Sequence, residues 1–128
     1  MADKKSLKLT DSELEILRVL WQQGVSTVRQ VHDELAKTKD VGYTTTLKLM
    51  QIMHEKGLVS RDTSNKTHVY RPEVDQQQTR QHMVNKLIDH MFAGSASRLV
   101  MQALGNHPTS KDEIDAIKRY LDGLENKK

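Results

Sequence analysis

Leu14, Leu17 and Trp21 recur at i, i+3 and i+7 with Ile16 and Leu20 beside them, so the first apolar stripe of the chain has the period of a helix. Its start is well marked: Thr10 is placed as N-cap, Glu13 closes a capping box, and Leu9 is positioned as a staple against Leu14. Gly24 supplies the left-handed residue with which helices often end. A second start follows at once, with Thr27 and Gln30 at capping-box spacing and Val28, Val31 and Leu35 on one face. Polar residues from Lys37 to Gly42 separate these helices from a third, predicted over Thr44 to Lys56 and closed by Gly57.

The period then shifts from helical to alternating. Leu58 to Arg61 and Thr67 to Arg71 alternate apolar with polar residues around the turn-rich Asp62-Thr63-Ser64-Asn65-Lys66, and Pro72 stops the second run. This pattern predicts a β-hairpin. Helix, helix, helix, hairpin is the element order of a winged helix-turn-helix.

Beyond Pro72, the polar stretch Glu73 to Thr79 leads into a helix carrying Val84, Leu87, Ile88 and Met91, and after a break at Ala93-Gly94-Ser95 a short helix runs to about Leu104. Gly105 to Pro108 breaks the chain again, and Ser110 with Glu113 opens a last helix bearing Ile114, Ile117, Leu121 and Leu124. Three short helices cannot readily bury that many apolar side chains among themselves, so a partner subunit is expected to cover them. The predicted class is mainly α: a winged helix-turn-helix domain over residues 1–75 and a three-helix dimerisation arm over residues 76–128.

Composition narrows the setting more than the function. The 128 residues contain no cysteine, which removes disulfide frameworks and thiolate metal sites and favours a reducing compartment. No apolar run approaches the roughly 18 residues of a membrane span, and Met1 to Lys8 lacks the apolar stretch of a signal peptide. A cytoplasmic location is expected. Net charge is +3, with 12 Lys and Arg against 11 Asp and Glu through Asp75 and 8 against 6 after it. Neither part attracts polyanions in bulk, so any case for nucleic acid rests on where the charges stand.

On the third helix, Thr46, Leu49, Met50 and Met53 share one side and are assigned to the core, while Thr44, Leu47, Lys48, Gln51 and Glu55 cluster on the other. Hydroxyls and an ammonium suit phosphates, a glutamine suits an adenine edge, and an aliphatic group suits a thymine methyl. Thr44, Thr45, Leu47, Lys48 and Gln51 are therefore the candidate groove contacts. An ordinary solvated helix face has the same residue types; the place of this helix before a hairpin favours the groove. Tyr43 can hydrogen-bond a phosphate or pack on the first turn, and both readings stand. Lys66, at the hairpin tip, is the candidate wing contact. Arg61 and Arg71 fit equally well as edge-strand charges that discourage aggregation, and His68 adds a group that can become cationic.

Six histidines raise metal binding, yet His82 and His90 stand eight apart and no pair has the spacing of helical ligands, so neither metal nor cofactor is expected. There is no Gly-rich phosphate loop, nucleophile elbow or HExxH, and the chain does not read as an enzyme. Asp112, Glu113 and Asp115 open the last helix, where acidic groups suit the macrodipole. Besides DNA binding, two alternatives remain open: a winged-helix protein-interaction module, and a regulator gated by a ligand between the arms.

Several segments together resemble a known family: Leu14-Glu15-Ile16-Leu17 with Trp21, Tyr43-Thr44-Thr45-Thr46, Lys56-Gly57-Leu58-Val59, and Val69-Tyr70-Arg71-Pro72. Over about Leu9 to Leu124 the chain looks like a BlaI/MecI/CopY-type repressor, regulators of penicillinase and methicillin-resistance operons. The resemblance implies a homodimer on a palindromic operator of double-stranded DNA. It also implies relief of repression when a membrane-bound sensor metalloprotease has detected β-lactam and the dimerisation region is cut. Two departures stand out. The β-lactam branch is cut at an Asn-Phe bond, and ungapped counting puts Gln102-Ala103 there. The copper-responsive branch uses a Cys-x-Cys pair, which a chain without cysteine lacks.

Overall fold

The computed structural model describes residues 8–127. Its elements run α1 (Asp11–Gln23), β1 (Ser26–Thr27), α2 (Val28–Leu35), α3 (Tyr43–Glu55), β2 (Val59–Asp62), β3 (Val69–Pro72), α4 (Gln76–Met91), α5 (Ala96–Asn106) and α6 (Lys111–Asn126). The chain divides into two compact units, the first ending at Met83 and the second beginning at Val84.

All three expected capping boxes form. The Glu13 amide donates to Thr10 Oγ1 at 3.1 Å, the Gln30 amide to Thr27 Oγ1 at 3.1 Å and the Glu113 amide to Ser110 Oγ at 3.1 Å, and each N3 side chain accepts from the cap amide in return. Each cap contributes about 1 kcal/mol, which matters for helices of 8 to 16 residues that are marginal by themselves. Gly24 and Gly57 close α1 and α3 at φ of 81° and 82°, a region that side chains with a Cβ avoid.

The core of the first unit is built from Ile16, Leu17, Val19 and Leu20 of α1, Val28 and Val31 of α2, Met50 and Met53 of α3, and Leu58, Val59 and Tyr70 from the hairpin. Leu47 and Leu49 lie half-buried at its edge. Leu47, expected on the outward face, thus keeps one side on the core. Trp21 closes another edge by donating from Nε1 to the Val74 carbonyl at 3.0 Å.

The sheet holds a strand that the alternation did not reveal. Its order is β1-β3-β2, all antiparallel, with Ser26 opposite Tyr70, Thr27 opposite Val69 and Arg61 opposite Tyr70. Thr27 is at once the end of β1 and the N-cap of α2, its extended φ of −82° and ψ of 166° serving both. The pairing therefore brings the first turn of α2 to the edge of the hairpin.

In the second unit α5 and α6 contribute no buried residue, and every fully buried hydrophobic side chain among the described residues belongs to the first unit. Leu87, Met91, Val100, Met101, Leu104, Leu121 and Leu124 are all exposed.

Candidate nucleic-acid interface

Gly42 caps α3, and Thr46, Met50 and Met53 anchor it to the core, so the opposite side of the helix faces outward. The hairpin rises beside it. Alternation in β3 buries Tyr70 while Arg71 stays exposed, and the Arg61–Tyr70 register puts Arg61 on the same side as Tyr70. Between α3, the start of α2 and the hairpin lies an open groove of about 360 Å³. Tyr43, Leu47 and Gln51 line it from α3, Thr27 and Arg29 from the start of α2, and Arg61, Lys66 and His68 from the hairpin.

The groove wall has three fixed cations, a histidine and no carboxylate. This is the local placement that the near-neutral composition concealed. Arg61 Nε is buried without a hydrogen-bond partner among the described residues, leaving a donor unsatisfied on the groove wall. Tyr43 meets two residues of α2: the Arg29 guanidinium lies 4.5 Å from its ring centroid, and His32 contacts it edge-on with ring centroids 5.9 Å apart. The ring is thus part of a stack, and Tyr43 remains more than one-third exposed.

Of the candidate residues, Tyr43, Leu47, Gln51 and Lys66 meet at this groove. Thr44 and Lys48 are exposed and continue the outward face of α3, whereas Thr45 is exposed about 100° further round the helix, away from the wing. Arg71 does not line this groove: it borders a second opening with Val25, Ser60 and Arg61, and Glu73 approaches its Nε at 3.8 Å. At the wing tip the Ser64 amide donates to the Asp62 carboxylate at 2.9 Å. Hydrogen bonds from Ser64, with smaller contributions from Arg71 and His68, hold the Asp62 carboxyl below its ordinary pKa. Gln102 and Ala103 belong to the second unit and are exposed on α5.

A family model described as penicillinase repressor matches residues 9–123. The chain belongs to the penicillinase repressor family. It is 31% identical over 125 residues to the transcriptional regulator BlaI of Mycobacterium tuberculosis, covering 94% of this chain and 88% of that one. It is 24% identical to the penicillinase repressor of Bacillus licheniformis over 98% of both chains. The solved DNA-binding domain of the repressor BlaI matches 54% of this chain and 84% of its own at 26% identity, with a TM-score of 0.50. A MarR family protein from Bacillus stearothermophilus shares the fold over 98% of this repressor and 82% of its own chain, at 19% identity and a TM-score of 0.51.

The groove of this repressor also contains a residue that sequence reasoning passed over. Arg29 occupies the second position of α2, where an exposed cation is unremarkable. The available signal was its separation of three from His32, which puts both on one helical face. Their common contact with Tyr43 depends on how α2 and α3 pack. Among the described residues no group of three or more His, Cys, Asp or Glu is placed to hold a metal, and no helix is long and apolar enough to cross a membrane.

Proposed function

We propose that this transcriptional repressor acts in the cytoplasm as a homodimer, each winged helix laying α3 in a major groove of a palindromic operator and its wing on the flanking backbone. The observation that carries the reading is the groove between α3 and the wing, lined by Arg29, Arg61, Lys66 and His68 without a carboxylate. Lys48 and Lys66 serve phosphates, Gln51 reads a base edge, and Leu47 offers an apolar contact. Thr44 and Thr45 bind the backbone at the start of the helix, with Tyr43 in support. Two heads related by a dyad fit half-sites one or two helical turns apart.

Titrating a duplex from upstream of the repressor's own reading frame at several salt concentrations tests this assignment. Lys66→Ala is expected to weaken binding to that duplex and to an unrelated one alike, lowering the salt slope by about one per protomer. Gln51→Ala is expected to relax preference at one base position and leave the slope unchanged. Binding that ignores both substitutions would refute the placement of α3. A protein-interaction module would show no steep loss with salt in the parent protein.

Homodimerisation is supported by the uncovered Leu, Met and Val side chains of α4, α5 and α6. For derepression the reading favours cutting near Gln102-Ala103 by a membrane-bound sensor metalloprotease. A cut there would sever α5, whose Val100, Met101 and Leu104 are among the side chains that the partner is proposed to cover, and so would release the dimer. Mapping the repressor's fragments after co-expression with a membrane-bound sensor metalloprotease checks the idea. Cuts confined to the interval from Ala96 to Gly105 are expected, and an intact chain rejects this route.

A further inference from the structure

We propose that Arg29 is a backbone-phosphate anchor, held in position by the Tyr43 ring, that fixes the angle at which the third helix enters the groove. The proposal rests on the DNA-binding reading above and adds to it a residue of α2. Three observations carry it.

The first is the state of the guanidinium. It lies 4.5 Å from the Tyr43 ring centroid, and among the described residues no carboxylate pairs with it. An arginine stacked on a ring has one face covered and its N–H edges free, which is the arrangement that receives a phosphate in two parallel hydrogen bonds. The second is location. Arg29 lines the same groove as Leu47 and Gln51 on one side and Lys66 and His68 on the other, so an anion held there would lie between recognition helix and wing. The third is connectivity. Tyr43 is the first residue of α3, and His32, three residues beyond Arg29 on α2, also contacts its ring, edge-on with centroids 5.9 Å apart. The stack ties α2 to the leading end of α3, so a phosphate held by Arg29 constrains the entry of that helix.

Lysine cannot replace this arrangement fully, because an ammonium is a point charge without the planar fork. The test measures affinity and salt dependence on the duplex from upstream of the reading frame, with thermal melting of each variant to establish folding. Arg29→Ala is expected to lower affinity about tenfold per protomer, the scale of one charged hydrogen bond, and to lower the salt slope by about one per protomer. Arg29→Lys is expected to keep the slope but lose affinity. Tyr43→Leu is expected to lose affinity in the parent and little more in the Arg29→Ala background, since the two side chains act as one unit.

An Arg29→Ala variant that melts like the parent and keeps both affinity and slope overturns the proposal while leaving the DNA-binding reading in place. Equal losses from Tyr43→Leu in both backgrounds overturn the positioning role of the ring. A parent protein without salt-dependent binding to any duplex rejects the underlying reading and the proposal together.

Discussion

Leu121→Asp is expected to turn the repressor into a monomer and to lower its affinity for a two-half-site operator by about 10² to 10⁴, while binding of one head to a single half-site stays as it was. The magnitude comes from linkage, because a second head joined to the first binds at a high effective concentration and that advantage disappears when the arm separates. Leu121 lies on the α6 stripe Ile114, Ile117, Leu121 and Leu124, which is half-buried at its first two positions and 51% and 45% exposed at the last two. An aspartate placed there would be desolvated in an interface. In a free helix it costs only a few tenths of a kcal/mol in propensity. Sedimentation velocity and an operator titration check the expectation together. Arg119→Asp, on the opposite side of α6, serves as the control and is expected to leave assembly intact. If Leu121→Asp remains dimeric at full affinity, the stripe faces water and the arm assembles by another surface.

How much of this was legible in the sequence follows from the range of the interactions involved. The capping boxes at Thr10, Thr27 and Ser110 span three residues each, so their partners are visible in any window of the chain. The start of α4 was less visible. Gln76, Gln77 and Gln78 have no apolar period, but glutamine is a fair helix former, and the Asp75 carboxylate accepts from the Gln78 amide at 2.9 Å. β1 has two residues and exists through pairing with β3, more than forty residues away. Two residues have no period to read. Arg29 escaped for the same reason, since its neighbourhood with Lys66 and His68 is made by that pairing. The outward face of α3 was legible because helical geometry assigns it once the core side is known. The half-burial of Leu47 was not, since it depends on what packs beside the helix.

A stability prediction of comparable size concerns the tie between the ends of α1 and α3. Lys56, the C-cap of α3, donates from Nζ to both oxygens of Glu13 at 2.8 and 2.9 Å and to the Lys8 carbonyl at 3.2 Å. Glu13 is only 2% exposed. The Lys56 side chain is 36% exposed, so the two partners differ in what their removal leaves behind. Lys56→Ala strands a buried carboxylate with the Thr10 amide as its remaining described donor. Glu13→Gln keeps an acceptor for that amide and leaves a lysine that can turn to water. Removing one partner of a buried ion pair costs about 3–5 kcal/mol, and the exposure of Lys56 places this pair at or below the lower end, about 2–3 kcal/mol. For a small domain that corresponds to a fall in melting temperature of roughly 10–20 °C. Urea unfolding of the variants is expected to rank Lys56→Ala as clearly worse than Glu13→Gln. The double variant Glu13→Gln/Lys56→Met, which leaves no buried charge, is expected to recover much of the loss. Equal costs for the two single variants would mean that water reaches Glu13 and that the pair behaves as a surface contact. Because neither residue lines the groove, Lys56→Ala is expected to bind DNA normally well below its melting temperature, its defect appearing as heat sensitivity of repression.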